Sequence, residues 1–137
     1  MRDVAYIALG SNLGQREVFL AEARRAIADL AHTKVLAQTD AEETEPIGPV
    51  AQGPFLNQMV AIETELSPQD LLAALKEIEL AAGRVRTARW GPRTLDLDIV
   101  RYGGRRIADP DLIIPHPELP NRDFWIRELA ELEAHER

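Results

Sequence analysis

The chain is 137 residues long and carries 16 Lys and Arg against 23 Asp and Glu, a net charge of -7, with 45% hydrophobic residues and no cysteine. That length suits one domain, and the hydrophobic share excludes disorder for the bulk of it. The missing cysteines exclude disulfide scaffolds, thiolate zinc sites, iron–sulfur clusters and cysteine nucleophiles, and they fit a reducing cytoplasm. The acidic balance argues against nucleic acid or an anionic membrane as a partner, and no long apolar patch demands one, so a monomer is expected. No secretory signal opens the chain, because Met1-Arg2-Asp3 leads into an apolar run of only Val4 to Leu9.

That run is stopped by Gly10-Ser11-Asn12, which predicts a buried strand and a turn, with Ser11 or Asn12 capping the helix beyond. In this helix Phe19, Leu20, Ala23, Ile27, Leu30 and Ala31 recur at steps of three and four among charged residues, an amphipathic pattern of about four turns. Lys34 to Thr39 alternates as a second strand and runs into an acidic stretch, Asp40 to Glu45. Pro46 to Pro54 is rich in proline and glycine and reads as a long exposed loop. Leu56 to Leu66 is a third strand. Ser67-Pro68-Gln69-Asp70 then supplies an N-cap, a proline at the first helical position and an acidic residue three after the cap. Leu71, Leu72, Leu75, Ile78 and Ala82 form the stripe of this second helix, and Gly83 is its left-handed stop. Leu95 to Tyr102 alternates cleanly, and Gly103-Gly104 signals a two-residue hairpin into Arg105-Arg106-Ile107. Arg122 to Glu133 reads as a helix with Phe124, Trp125, Leu129 and Leu132 apolar. The order β-α-β, β-α-β, with a terminal hairpin strand and helix, predicts a ferredoxin-like α+β fold: an αβα sandwich, mainly antiparallel, with helices on the faces.

Leu95-Asp96-Leu97-Asp98-Ile99 is the sharpest chemical feature. On a strand, residues two apart share a face, so both aspartates point one way while Leu95, Leu97 and Ile99 face the core. Their Cα atoms are expected about 6 to 7 Å apart, a spacing from which carboxylates converge on magnesium ions held about 3.5 to 4 Å apart. An isolated D-x-D is more often a solvated strand face. Here, however, Arg84, Arg86, Arg89 and Arg93 precede it with no acidic residue between Ala81 and Leu95. Gly83, Gly91 and Pro92 make that segment a loop. An arginine-rich loop feeding into two carboxylates is the arrangement needed to bind a polyphosphate with divalent cations. Gly10-Ser11-Asn12-Leu13-Gly14 lacks the lysine and spacing of a P-loop, and it lies too far from the D-x-D for a nucleotidyltransferase motif.

Tyr6 to Gly14 and, above all, Arg89-Trp90-Gly91-Pro92-Arg93-Thr94-Leu95-Asp96-Leu97-Asp98-Ile99 resemble the 6-hydroxymethyl-7,8-dihydropterin pyrophosphokinase family of folate biosynthesis. The resemblance continues in order through Thr44 to Pro49, Phe55-Leu56-Asn57, Glu79 to Arg86, Pro115-His116-Pro117 and Arg122-Asp123-Phe124. It implies transfer of the terminal diphosphate of ATP to the pterin hydroxymethyl group, with release of AMP, on a ferredoxin-like fold. It also implies that Asp96 and Asp98 ligate two magnesium ions on the ATP phosphates, and that Asp96 meets the hydroxymethyl group. Arg84 and Arg93 match arginines that steady the transferred phosphates, with Arg86 and Arg89 as supporting contacts from a closing loop. Glu79 falls where the family contacts the ATP ribose, His116 and Arg122 where it faces the phosphates, and Ile99 beside adenine. On the pterin side, Asn57 and Thr44 match groups that read the ring edge. Phe55 and Phe124 match a sandwich around the ring, Trp90 a cover over it, and Ile47 a further substrate contact.

Each position has a plainer reading. Phe55 and Phe124 alone are ordinary core residues, Asn57 a strand-edge residue, His116 an exposed loop residue, and Glu79 a glutamate on a surface helix face. The ordered set favours the functional reading. The sequence departs from the family at Glu42, where a tyrosine is usual, and at Glu128-Leu129, where a Pro-Leu pair is usual. It also ends at Arg137, where many relatives continue, so residues 1–137 are read as a single pyrophosphokinase domain shortened at the C-terminus. The competing readings are a degenerate paralogue, or a ferredoxin-like regulatory module, that binds ATP without efficient transfer. A regulatory module would need neither the carboxylate pair nor the arginine loop.

Overall fold

The computed structural model describes residues 3–45, 53–82 and 95–135. In chain order they form β1 (Asp3–Ser11), α1 (Arg16–Ala28), β2 (Thr33–Gln38), β3 (Glu42–Thr44), β4 (Phe55–Thr64), α2 (Pro68–Ala81) and β5 (Asp96–Tyr102). These are followed by β6 (Ile107–Asp109), β7 (Leu112–Ile114), a single 3-10 turn (Leu119–Asn121) and α3 (Asp123–His135). The main sheet has the order β2-β4-β1-β5, and every neighbouring pair is antiparallel. β2 and β3 occupy successive stretches of the same edge of β4, the first along Val60 to Thr64 and the second along Phe55 to Asn57. This is the predicted α+β, ferredoxin-like arrangement.

Strand alternation divides the apolar residues between two cores. Ile7, Leu9, Leu56, Val60, Ile62, Leu97 and Ile99 pack with Leu20, Ala23 and Ile27 of α1 and Leu71 and Leu75 of α2. Tyr6, Ala8, Met59, Ala61 and Val100 pack with Trp125, Leu129 and Leu132 of α3. Burying an aliphatic side chain of this size is worth about 1.5–3 kcal/mol. β1, β4 and β5, with residues in both cores, are therefore the elements that join the layers. α2 starts as the sequence requires, with Pro68 in its first turn and Ser67 Oγ accepting the Asp70 N–H at 3.1 Å.

Four local expectations are corrected. Gly10 and Ser11 do not stop β1 but lie within it, held by pairing with Asn57 and Leu56 of β4. Neither Ser11 nor Asn12 caps α1, whose N-cap is Gln15 without a side-chain bond; Asn12 Nδ2 donates to Gly53 O at 3.1 Å. The acidic stretch contains β3, two glutamates with little strand propensity and a threonine, which pair because β4 offers them an open edge. Gly103-Gly104 forms a turn closed by Arg105 N–H donating to Tyr102 O at 3.0 Å. The chain beyond it does not return along β5, because β6 pairs with β7. Gly103 has φ +51°, and its N–H donates to Val4 O at 2.8 Å, so the turn is tied back to β1 and the strands diverge after it.

Candidate active site

Asp96 and Asp98 lie on β5, each half-buried, while Leu95, Leu97 and Ile99 between and beside them are buried. The two carboxylates thus share the face of the sheet that α3 packs against further along. Pairing extends this face sideways. Asp98 is opposite Ala8, which is opposite Met59; Asp96 is opposite Gly10, which is opposite Asn57. Asn57 is in turn opposite Glu42. The row Asp96, Gly10, Asn57 therefore crosses three strands at about 4.8 Å per step, with no side chain on the middle one.

On the β4 side, Asn57 is buried, donates from Nδ2 to Thr44 Oγ1, and lies 3.5 Å from Phe55 O. Thr44 and Phe55 are opposite one another across β3 and β4. Asn57, Thr44 and Phe55 are therefore brought together. Phe124 opens α3, partly buried against the second core, with its ring 6.2 Å from Trp125.

On the β5 side, the chain after β7 returns when the His116 N–H donates to Val100 O at 2.9 Å. His116 Nδ1 accepts the Glu118 N–H at 3.0 Å, which leaves Nε2 as the protonated nitrogen of the neutral ring. That Nε2 lies 3.5 Å from Asp98 Oδ1, and the ring meets Trp125 edge-on at 4.9 Å. The Arg122 guanidinium stacks over the Trp125 ring, 4.2 Å from its centroid, and its Nε is buried with no hydrogen-bond partner. Asp98, His116, Trp125 and Arg122 thus form one continuous cluster between β5 and the start of α3. The sequence marks Trp125 only as an apolar helix position, and the fold shows that it seats both His116 and Arg122.

Glu79 departs from its plain reading, whereas Ile99 faces the core as strand alternation predicts. Glu79 is not on an exposed helix face: it is 7% exposed, and its Oε2 accepts the Leu97 N–H at 2.7 Å. The Ile99 side chain is buried in the first core, on the face opposite the aspartates. Arg84, Arg86, Arg89, Trp90, Arg93 and Ile47, with the helix stop at Gly83, lie outside the described residues.

Among the described residues no group of three or more His, Asp or Glu side chains is gathered to hold a metal ion. The donor set is a carboxylate pair, which suits magnesium: it commonly takes one or two protein carboxylates and completes its octahedron with water and substrate phosphates. An antiparallel α+β sandwich with two carboxylates on one face of its edge strand defines the class, a ferredoxin-like protein whose acidic site suits a phosphate ligand carried with a divalent cation.

The profile of the 7,8-dihydro-6-hydroxymethylpterin-pyrophosphokinase (HPPK) family matches residues 6–134. The chain is 43% identical over 132 residues to the 2-amino-4-hydroxy-6-hydroxymethyldihydropteridine pyrophosphokinase of Bacillus subtilis, covering 96% of this chain and 79% of that protein. It is 46% identical over 128 residues to the enzyme of the same name from Haemophilus influenzae, covering 93% and 80%. In fold it is similar to a crystal structure described as HPPK-DHPS in complex with substrates, with a TM-score of 0.68, 14% identity, and coverage of 96% of this chain and 40% of that one. The chain belongs to the HPPK family. It is a pterin pyrophosphokinase, transferring diphosphate from ATP to hydroxymethyldihydropterin in folate biosynthesis, and its family uses ATP and Mg2+. Among the described residues no helix is long and apolar enough to cross a membrane.

Proposed function

We propose that the trough running from Asp98 across Gly10 to Asn57 is where the two substrates meet, with ATP phosphates at the β5 end and the pterin at the β4 end. The observation that carries this is the pairing register, which sets the two aspartates and the Asn57–Thr44–Phe55 group on one face, separated by a strand position without a side chain. Asp96 and Asp98 hold two magnesium ions, which supply charge neutralisation at the phosphates when bound. The His116 ring flanks the Asp98 carboxylate, with Nε2 at 3.5 Å. The buried, unpartnered Nε–H of Arg122 keeps a donor for a phosphate oxygen. Ile99 contributes its main chain to adenine: the Leu97 N–H points away from β1, and by alternation the Ile99 N–H does too. Glu79 lies within reach of this same strand edge, where the ribose follows.

On the pterin side, the Asn57 amide and Thr44 hydroxyl read the ring edge, Phe55 and Phe124 take its faces, Trp90 covers it and Ile47 adds an apolar contact. Arg84 and Arg93 steady the transferred group, with Arg86 and Arg89 in support. The substrate hydroxyl oxygen, oriented by Asp96, bonds to the β-phosphorus of ATP. The bond from that phosphorus to the bridging oxygen of the α-phosphate breaks, AMP leaves with that oxygen, and the hydroxyl proton passes to solvent water. The chain's contribution is positioning and electrostatic stabilisation. The working unit is a monomer, in keeping with exposed apolar side chains spread over different elements, such as Leu36, Leu80, Ile113 and Ile126.

The test is AMP release with ATP, magnesium and hydroxymethyldihydropterin. Asp98→Asn is expected to lose on the order of a thousandfold in kcat, since it removes a metal carboxylate without changing shape. Near-normal turnover by this variant rejects the two-carboxylate site.

A further inference from the structure

Glu79 sits in the last turn of α2, where two physical preferences oppose it. A carboxylate is rarely buried. The C-terminal end of a helix repels negative charge. α2 also has no basic residue in its last turn to offset that repulsion. Glu79 is nonetheless 7% exposed, whereas its neighbours Glu77 and Leu80 are exposed. A side chain placed against this many local rules marks a position where another requirement dominates.

One contact it makes indicates the requirement. β5 is the last strand of the sheet order, paired on one side with β1. Its outward N–H groups have no neighbouring strand to receive them among the described residues. At Leu97 the Glu79 carboxylate supplies the acceptor instead, at 2.7 Å, a charge-assisted bond of the strong kind. Leu97 is the residue between Asp96 and Asp98. Holding its amide fixes the peptide planes from which both aspartates project, on a strand that has a partner strand on one side only.

We propose that Glu79 is a positioning residue of the diphosphate transfer: it clamps the Leu97 amide of β5 so that Asp96 and Asp98 keep a fixed mutual orientation. This rests on the reading of those aspartates as the metal carboxylates. It differs from a ribose contact, because it acts through the backbone of the chain and does not depend on which nucleotide is bound.

The experiment pairs Glu79→Ala with Glu79→Gln, since the amide oxygen of glutamine can still accept the Leu97 N–H. Amide hydrogen exchange at Leu97 is measured by NMR without ligands, with Ile7 in the sheet centre as the reference for global opening. The alanine variant is expected to exchange at Leu97 about tenfold faster relative to Ile7, and the glutamine variant within about threefold of wild type. In assays the alanine variant is expected to need about tenfold more Mg2+ for half-maximal rate. It is also expected to lose the same factor in kcat with ATP, 2′-deoxy-ATP and 3′-deoxy-ATP, with the glutamine variant largely rescued. Unchanged Leu97 exchange in the alanine variant overturns the clamp. A rise in nucleotide KM that appears with ATP but vanishes with a deoxy nucleotide, at unchanged kcat, assigns Glu79 to the ribose and also overturns it. Faster Leu97 exchange with normal Mg2+ dependence and kcat shows a clamp without a positioning role, and again the proposal fails. Failure of the underlying carboxylate reading is seen separately, as activity retained in Asp98→Asn. Should Glu79→Ala not fold, Glu79→Gln carries the test: retained Leu97 protection and rate support the clamp, and retained protection with a lost rate rejects it.

Discussion

Gly10 has no side chain at the one position where any other residue would place a group between Asp96 and Asn57. A methyl added there would lie 3.3 Å from Asn57 Oδ1 and 3.6 Å from Phe55 Cδ1, so the amide expected to read the pterin edge would have to move by a few tenths of an ångström. Glycine weakens a strand interior, and its presence in a central strand marks a place where something must approach the backbone closely. Gly10→Ala is therefore expected to raise the pterin KM about tenfold while the KM for ATP stays within about twofold, as read by steady-state kinetics with each substrate varied. Equal effects on both substrates would argue against a pterin-side role for the trough. The aspartate pair could be read from sequence because alternation is a local rule that needs only five residues. Gly10 and Glu79 could not be assigned this way. The significance of Gly10 depends on a strand 47 positions away in sequence (Asn57), and that of Glu79 on an edge amide 18 residues distant.

At the scale of elements, α3 docks through a carboxyl. Glu128 is 4% exposed, with Oε2 accepting from Thr39 Oγ1 at 3.3 Å and Oε1 without a partner. Burial, and next the nearby Glu42 charge, push its pKa up to about 7, against opposing pulls from the Thr39 bond and from Arg127; Glu131 adds a small further push upward. Arg127 itself reaches Glu42 at 3.4 Å. The sign follows from proton counting. Between the ordinary value of 4.5 and about 7 the native state holds a proton that the unfolded chain has released. Stability from this group therefore falls as pH rises through that window, by up to about 3 kcal/mol. Glu128→Gln, neutral at every pH, should remove that slope and be more stable than wild type at pH 8, as measured by urea unfolding at pH 5 and 8. An equal pH dependence in both proteins would show that the carboxyl is ionised in the fold already. The two departures from the family pattern, Glu42 and Glu128, are thus neighbours in space, which their separation in sequence conceals. β3 was hidden for a related reason: Glu-Glu-Thr has no strand signature of its own, and the open edge of β4 makes it one. The N-cap of α2, by contrast, is written within four residues and was legible.

For the whole molecule, the binding halves come from opposite flanks of one strand. β5 brings the aspartates and β4 the Asn57 group, and β1 lies between them, in register with both. Sheet order is the part of a fold that sequence states least directly, since the β-α-β repeats suggest a topology but not which residues end up opposite each other. All contacts across the trough are long-range in sequence, and long-range pairing is the slow part of folding. Recovery of diphosphate transfer during refolding is accordingly expected to coincide with the slowest fluorescence phase of Trp125, which packs under the site, followed in a variant with Trp90 replaced by phenylalanine. Activity that returns in an earlier phase would mean that the trough forms before the sheet is complete.

The place of β1 has a consequence for how this protein can be divided. A split of the chain between α1 and β2 separates the strand that both substrates share from the strands that recognise them, so neither fragment contains a working half. Two pieces made this way are useful only together: diphosphate transfer becomes a report that they have met, switched on by reassembly and silent in either piece alone.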